Sequence, residues 1–301
     1  MFEPGTLLTN IQQTSALALE CGSLQPIATN YELVEQEGMT FLVRILANLV
    51  RKDKAQQKEK ENKTSSGKEF NPFLPYEEDL FVADISPTHL CLLNKYNVVD
   101  NHLLIVTRDF QEQETWLTLE DMAALWQCMA EYEALAFYNG GTIAGASQRH
   151  KHLQLIPLPL GCCAGKFPLE PTISACQLKE NCINKVSQFP FLHAVAKLDS
   201  SYLKSPLDAA PQLLATYYQL LQSVGLLKGN QPKRERQVGA YNFLATREWM
   251  LIIPRCKEHF QSISINSLGF AGSLFVRDGE QMELLKKSGP LNVLKTVAFA
   301  K

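Results

Sequence analysis

The chain has 301 residues, 46% of them hydrophobic and 20% charged, with a formal net charge of -2. Such a composition belongs to a soluble globular protein with one large domain or two ordinary ones. The slight acidity argues against a general nucleic-acid binder, which carries a basic excess. No apolar run reaches the roughly 18 residues that span a bilayer, and Met1-Phe2-Glu3-Pro4 lacks the basic start and apolar core of a secretory signal. A cytoplasmic protein is the expectation. The eight cysteines are scattered without a C-x-x-C pair and read as buried, reduced thiols. A small zinc site joining Cys162 or Cys163 to Cys176 or Cys182 is the alternative.

Residues 1–50 read as a helical segment. Leu7, Leu8, Ile11, Ala16, Leu17 and Leu19 recur at helical spacing, and a second apolar stretch runs from Phe41 to Val50. From 51 to 69 charged and small polar residues replace apolar ones. This predicts a mobile charged loop, because nothing there offsets the entropy of ordering the chain. Lysines on its flanks, Lys54 or Lys68, are candidates to close over phosphates. His89–Asn94 and His102–Thr107 are strand-like and joined by residues 97–101. Thr118 opens a helix as its N-cap, with Glu120 and Asp121 in the first turn, and the pattern predicts a run to about Tyr138, stopped by Asn139-Gly140-Gly141.

Residues 157–206 look irregular, with many prolines. A helix is expected over Ala209–Leu227. Tyr241–Thr246 and Trp249–Pro254 form a predicted hairpin across Arg247-Glu248. Asn266–Gly272 is a glycine-punctuated turn leading into a strand at Ser273–Val276.

The chemistry concentrates in the run from Gly145 to Leu155. Read as a strand, it places His150, His152 and Gln154 on one face and Leu153 and Leu155 on the other, with the stem of Lys151. The small and polar residues just upstream can bring backbone N–H groups to an anion. A nucleophilic base beside an anion cradle suggests chemistry on phosphate. Two histidines also suit zinc, but the glutamine is a poor zinc ligand and a good neutral donor. A purely structural role is the third possibility. His102 is expected to make a structural hydrogen bond, and His193 and His259 to lie at the surface. Glu77, Glu78, Asp79 and Asp84 read as solvated acids.

His150-Lys151-His152-Leu153-Gln154 resembles the His-x-His-x-Gln variant of the histidine triad superfamily, in its nucleotidyltransferase branch. Asn71-Pro72-Phe73, Leu92–Val99, His102–Arg108, Gly145–Gln148 and Asn266–Gly272 narrow this to a resemblance to diadenosine tetraphosphate phosphorylases, also called ATP adenylyltransferases. The likeness covers about 70–160 and 240–280. It implies an α+β fold with a histidine-triad-like antiparallel sheet and flanking helices. Residues 70–160 would form the catalytic unit, and 161–301 an extension completing the sheet and the nucleotide site.

The resemblance further implies reversible phosphorolysis of diadenosine tetraphosphate, with phosphate, to ATP and ADP. His152 would carry AMP covalently, Gln154 would donate to phosphate oxygens, and His150 would orient rather than react. Gly145, Ala146, Ser147 and Gln148 would hold phosphate. Asn94 and Lys95 would lie near the nucleoside, Asn139 near phosphate or ribose, and Asn266 and Gly269 in a further ligand-binding segment. A divalent cation, magnesium by expectation, would accompany the nucleotide, with no metal held by the protein alone. The expected partners are the dinucleotide, ATP, ADP and phosphate, without nucleic acid or membrane, on a monomer. Sulfate adenylyl transfer with ADP, a uridylyl-type transferase and a non-catalytic nucleotide sensor are the alternatives.

Overall fold

A computed structural model describes residues 2–46, 71–161 and 165–301. Helix α1 (Leu7–Cys21) buries Leu7, Ile11 and Ala18 and ends at Gly22 in a left-handed conformation. The remainder of the expected N-terminal helical segment is instead a hairpin, β1 (Thr29–Gln36) and β2 (Met39–Leu46). The turn residues Glu37 and Gly38 both have positive φ, 52° and 75°, which matches the right-handed twist of the strands they connect. The charged stretch 51–69, with Lys54 and Lys68, lies outside the described residues, as do Cys162 and Cys163.

The main sheet has nine strands in the order β3-β4-β5-β7-β6-β10-β11-β9-β8. They are β3 (Phe81–Asp84), β4 (His89–Leu93), β5 (Leu103–Thr107), β6 (Ala134–Gly140), β7 (His152–Pro157), β8 (Ile183–Asn184), β9 (Ala194–Lys197), β10 (Tyr241–Ala245) and β11 (Trp249–Pro254). All neighbours run antiparallel. The 157–206 region, expected to be irregular, thus supplies the edge strand β8, its neighbour β9 and a short helix, α3 (Glu170–Ser174).

The helix opened by Thr118 is shorter than its pattern predicts. Helix α2 (Leu119–Glu131) stops at Tyr132, whose backbone is extended, and residues 134–140 form the central strand β6. That strand is buried on both faces, so it reads as an unbroken apolar run that periodicity cannot tell from helix. Ala134, Ala136 and Tyr138 enter one core, and Leu135 and Phe137 the other.

These two cores occupy opposite faces of the sheet. Helices α1, α2 and α4 (Pro206–Ser223) cover the first. Over the second lie a smaller sheet and the C-terminal elements: α5 (Ser267–Phe270), α6 (Gly279–Ser288) and α7 (Pro290–Val297). In the smaller sheet, β14 (Ser273–Val276) pairs in parallel with β2, tying the N-terminal hairpin to the C-terminal part. A two-stranded ribbon, β12 (His259–Phe260) and β13 (Ile263–Ser264), precedes α5. Among the described residues no helix is long and apolar enough to cross a membrane.

Strand β7 sends Leu153 and Leu155, both fully buried, into the helix-covered core. Leu155→Ala is expected to lower unfolding free energy by about 2–5 kcal/mol. Urea denaturation measures this, and a loss below about 1 kcal/mol would mean the strand does not carry that face.

Candidate active site

On the other face β7 presents His152 and Gln154. The strand begins only at His152; His150 and Lys151 precede it, and His150 forms one isolated bridge to Glu112. The expected row of three on one strand is therefore two strand residues and one upstream histidine. His150 is buried, with Nε2 2.8 Å from the Thr107 carbonyl and Nδ1 2.9 Å from the Asn71 amide nitrogen. Both ring nitrogens are occupied, and burial lowers its pKa. Its ring is held in place in a neutral state.

His152 differs at one atom. Its Nδ1 lies 2.8 Å from the His150 carbonyl. A carbonyl can only accept, so Nδ1 carries the proton and Nε2 keeps the lone pair. Nε2 has no hydrogen-bond partner among the described residues. Burial drives the pKa down to about 4, leaving the ring neutral at physiological pH. The ring packs edge-on to Phe73 at 5.4 Å.

His193 provides an internal comparison. Expected at the surface, it is 1% exposed and donates Nδ1–H to the Phe191 carbonyl in the same two-residue pattern. Its Nε2, however, accepts the Val186 N–H at 2.8 Å. The His193 lone pair is spent in the backbone; that of His152 is not. His259 is exposed, as its context predicts.

Two positioning elements are invisible in the sequence pattern. Buried Gln113 accepts the His152 N–H through Oε1 at 2.9 Å and donates through Nε2 to the His152 and Asn139 carbonyls. It thereby clamps β7 to β6. Lys151, whose stem is expected on the Leu153 and Leu155 face, is fully buried there, with Nζ 2.5 Å from Asp121. A glutamine in the polar stretch Gln111-Glu112-Gln113 carries no signal of such a role, and a lysine reads by default as surface.

Gln154 is oriented through a relay from β4 to β7. His102 Nε2 donates to Gln154 Oε1 at 2.9 Å, while Nδ1 accepts from the Asn94 amide at 3.2 Å. With its oxygen engaged, Gln154 presents its NH₂ as the donor. This fulfils the structural hydrogen bond expected of His102.

Gln154, His102, Asn94, Asn139, Ser147 and Asn266 share a cavity of about 360 Å³ between the main sheet and the smaller one. Gly145 and Ala146 line it too. Their N–H groups close the preceding turn on the Thr142 and Gly141 carbonyls, so of the backbone N–H groups expected from Gly145, Ala146 and Ser147 only that of Ser147 is left for an anion. Gly145 has φ +89°, and a Cβ there would fall 2.9 Å from the Asn266 Cα. Only glycine permits this approach. Lys95 does not line the cavity; it pairs with Glu77 at 2.6 Å. Gln148 does not line it either. Gly269 is a packing residue, since a Cβ would meet Ile265 at 3.0 Å and Leu274 at 3.2 Å.

Asn139 acts partly as an internal tie. Its Oδ1 accepts from the Ser267 N–H, the Ser267 hydroxyl and the Asn242 amide. Asn242 in turn accepts from buried Arg255 at 2.5 Å. Burial lowers the Arg255 pKa to about 10, and carbonyls of Val297 and Lys257 receive its other N–H groups. The network fixes the start of α5 against β6 and β10.

The depressed histidines have a consequence for stability. Burial holds His152 and His193 at about 4 in the folded chain, below the ordinary 6.5. The unfolded chain therefore binds protons first as pH falls. Stability is full above pH 6.5 and declines toward pH 4. Urea unfolding at pH 7 and pH 5 is expected to differ by about 2 kcal/mol for each of the two histidines; His193→Gln should remove its share, and a pH-independent result would contradict their burial.

Comparison with known proteins agrees with this arrangement. Residues 1–175 match the family model of the Ap4A phosphorylase N-terminal domain, and 187–300 that of the ATP adenylyltransferase C-terminal domain. The chain is 31% identical over 251 residues to diadenosine 5',5'''-P1,P4-tetraphosphate phosphorylase 2 of Saccharomyces cerevisiae, covering 74% of each protein. It is 27% identical over 302 residues to protein APA1 of the same organism, covering 92% of this chain and 88% of that one. The crystal structure of yeast Ap4A phosphorylase Apa2 superposes with a TM-score of 0.77 at 24% identity, over 100% of this chain and 96% of that one. Its complex with Ap4A gives 0.76 at 22% identity, covering 100% and 99%. This α+β chain, with its large antiparallel sheet, belongs to the Ap4A phosphorylase family of nucleotidyltransferases.

Proposed function

We propose that the protein carries out reversible phosphorolysis of diadenosine tetraphosphate through an AMP–histidine intermediate on His152. The observation that carries this reading is the tautomer: Nδ1–H on the His150 carbonyl leaves an unshared lone pair on Nε2 of a neutral ring. Imidazole is a competent nucleophile in that state, and its phosphoramidate is labile. Nε2 attacks the α-phosphorus, the N–P bond forms, and the P–O bond to the remaining triphosphate breaks to release ATP. An oxygen of inorganic phosphate then attacks the same phosphorus, the N–P bond breaks, and ADP departs. The Gln154 NH₂ donates to phosphate oxygen as charge moves onto it.

The cavity volume of 360 Å³ sits at the lower end of small-ligand pockets, ~300–1,000 Å³. It suits one nucleotide end, with Asn94, Ser147 and Asn139 as its polar contacts. The complexes of yeast Ap4A phosphorylase Apa2 with AMP and with Ap4A support this choice of ligand. Among the described residues no group of three histidine, cysteine or acidic side chains could hold a metal. Glu258 is the one carboxylate among the cavity residues. In this reading a magnesium ion comes bound to the polyphosphate as part of the substrate, where it offsets charge.

Mixing the protein with diadenosine tetraphosphate in the absence of phosphate, then taking an intact mass, is expected to show one added AMP, absent in His152→Ala. Adding phosphate should discharge it as ADP. A missing adduct under rapid quench, together with no phosphate-dependent release of ATP, would sink the reading and favour a nucleotide sensor. Capture of UMP from a uridine nucleotide instead would favour the uridylyl-type alternative, and faster discharge by sulfate than by phosphate would change the acceptor. Gln154→Ala should cost about 10²–10³ in kcat, read in the same ATP-release assay.

A further inference from the structure

The lone pair of His152 depends on a peptide group that lies ahead of strand β7 and is paired through an isolated bridge to Glu112. The His150 carbonyl that receives the Nδ1 proton belongs to the His150–Lys151 peptide, which lies just before β7 begins. The same peptide donates its N–H, that of Lys151, to the Gln111 carbonyl at 2.8 Å. The next carbonyl, of Lys151, accepts the Thr107 N–H at a long 3.3 Å. On the other side the Gln113 N–H reaches the Arg149 carbonyl at 2.6 Å, so the backbone ties run to the 111–113 segment and, more weakly, to the end of β5.

The Lys151 side chain supplies another tie. It passes to the sheet face opposite His152, where Nζ meets the Asp121 carboxylate at 2.5 Å and the Trp116 carbonyl at 2.7 Å. Asp121 is itself fixed three more times. It accepts from His89 Nε2 at 2.9 Å and from the Thr118 N–H at 2.7 Å, and its own N–H donates to the Thr118 hydroxyl. It is thus an element of the α2 capping box. Burial pushes the Asp121 carboxyl up, but Lys151 and His89 beside it outweigh this and hold it at about 2. Side-chain exposure of the pair is 0% and 1%. An ion pair so buried adds little net stability over a neutral, well-packed replacement. What it adds is a defined position for Lys151.

We propose that Lys151 and Asp121 are positioning residues for His152: their buried ion pair anchors the His150–Lys151 peptide to the start of α2 and so keeps the proton on Nδ1 and the lone pair on Nε2. Neither residue touches the cavity. The anchor acts from behind the sheet, through one peptide plane. It rests on the reading of His152 as the nucleophile.

Each single neutral substitution would strand a buried charge and risk the fold. The test is therefore the double variant Lys151→Met/Asp121→Asn, which leaves no unpaired charge and keeps a polar group for Thr118 and His89. Its melting temperature is expected within about 4 °C of wild type. Phosphorolysis should lose on the order of 10²-fold in kcat, with KM changed by less than about twofold. Imidazole ¹⁵N shifts of His152 should move from a single Nδ1–H form to a mixture with the Nε2–H form. A double variant that keeps wild-type kcat, one with an unmixed tautomer, or one that no longer folds would each overturn the proposal. Wild-type protein without phosphorolysis would sink the reading of the function instead, and the tautomer measurement would still test the anchor.

Discussion

Everything at this site depends on one short hydrogen bond, from His152 Nδ1–H to the carbonyl two residues before it. It decides which nitrogen keeps its lone pair, and burial decides that the nitrogen is unprotonated. The bond is local, but its permanence is not. The carbonyl sits ahead of the strand, and its orientation is inherited from side chains that converge on it: Asn71 and Thr107 on His150, Gln113 on the His152 backbone, and Asp121 on Lys151. A neutral histidine in a buried strand is otherwise ordinary; His193 repeats the same bond and has nothing left to offer a ligand.

The sheet makes this economy possible because its two faces do different work. One is filled by aliphatic and aromatic side chains under α1, α2 and α4. On the other, apolar packing gives way locally to polar groups that satisfy one another. Asn139, Asn242, Ser267 and Arg255 bond to one another and to the Ala144, Val297 and Lys257 carbonyls. Such a network is costly unless complete, and its completeness holds the 141–147 turn and α5 beside the cavity. Gly145 then allows the turn to touch the 265–266 backbone. The smaller sheet, joined by the parallel pairing of β14 with β2, provides the opposite wall.

Part of this was legible in the sequence because local rules carried it. The Thr118 capping box, the hairpin across Arg247-Glu248 and the strand from Ser273 appear where their residues demand them. Strand β6 was not legible: seven buried residues in a row have no polar face to reveal a period of two. The hairpin β1–β2 was misread for a related reason, since Met39–Leu46 is largely apolar and only its Glu37-Gly38 turn betrays it. Gly269 looked like a ligand-side glycine and serves packing, a distinction made by Ile265 and Leu274, which come from before and after it in the chain.

The sequence by itself determined which groups stand together and which family they resemble. Histidine and glutamine two residues apart must share a strand face, small residues upstream must turn, and the surrounding segments resemble one enzyme family. Tertiary structure decided the state of those groups. Which nitrogen of His152 is protonated, which way Gln154 points, and whether Lys151 faces water or Asp121 are set by residues tens of positions away: His102 lies 52 residues from Gln154 and Gln113 39 from His152. A side chain's identity is local, but its protonation and direction follow from desolvation and hydrogen-bond partners, and only the folded chain brings those together.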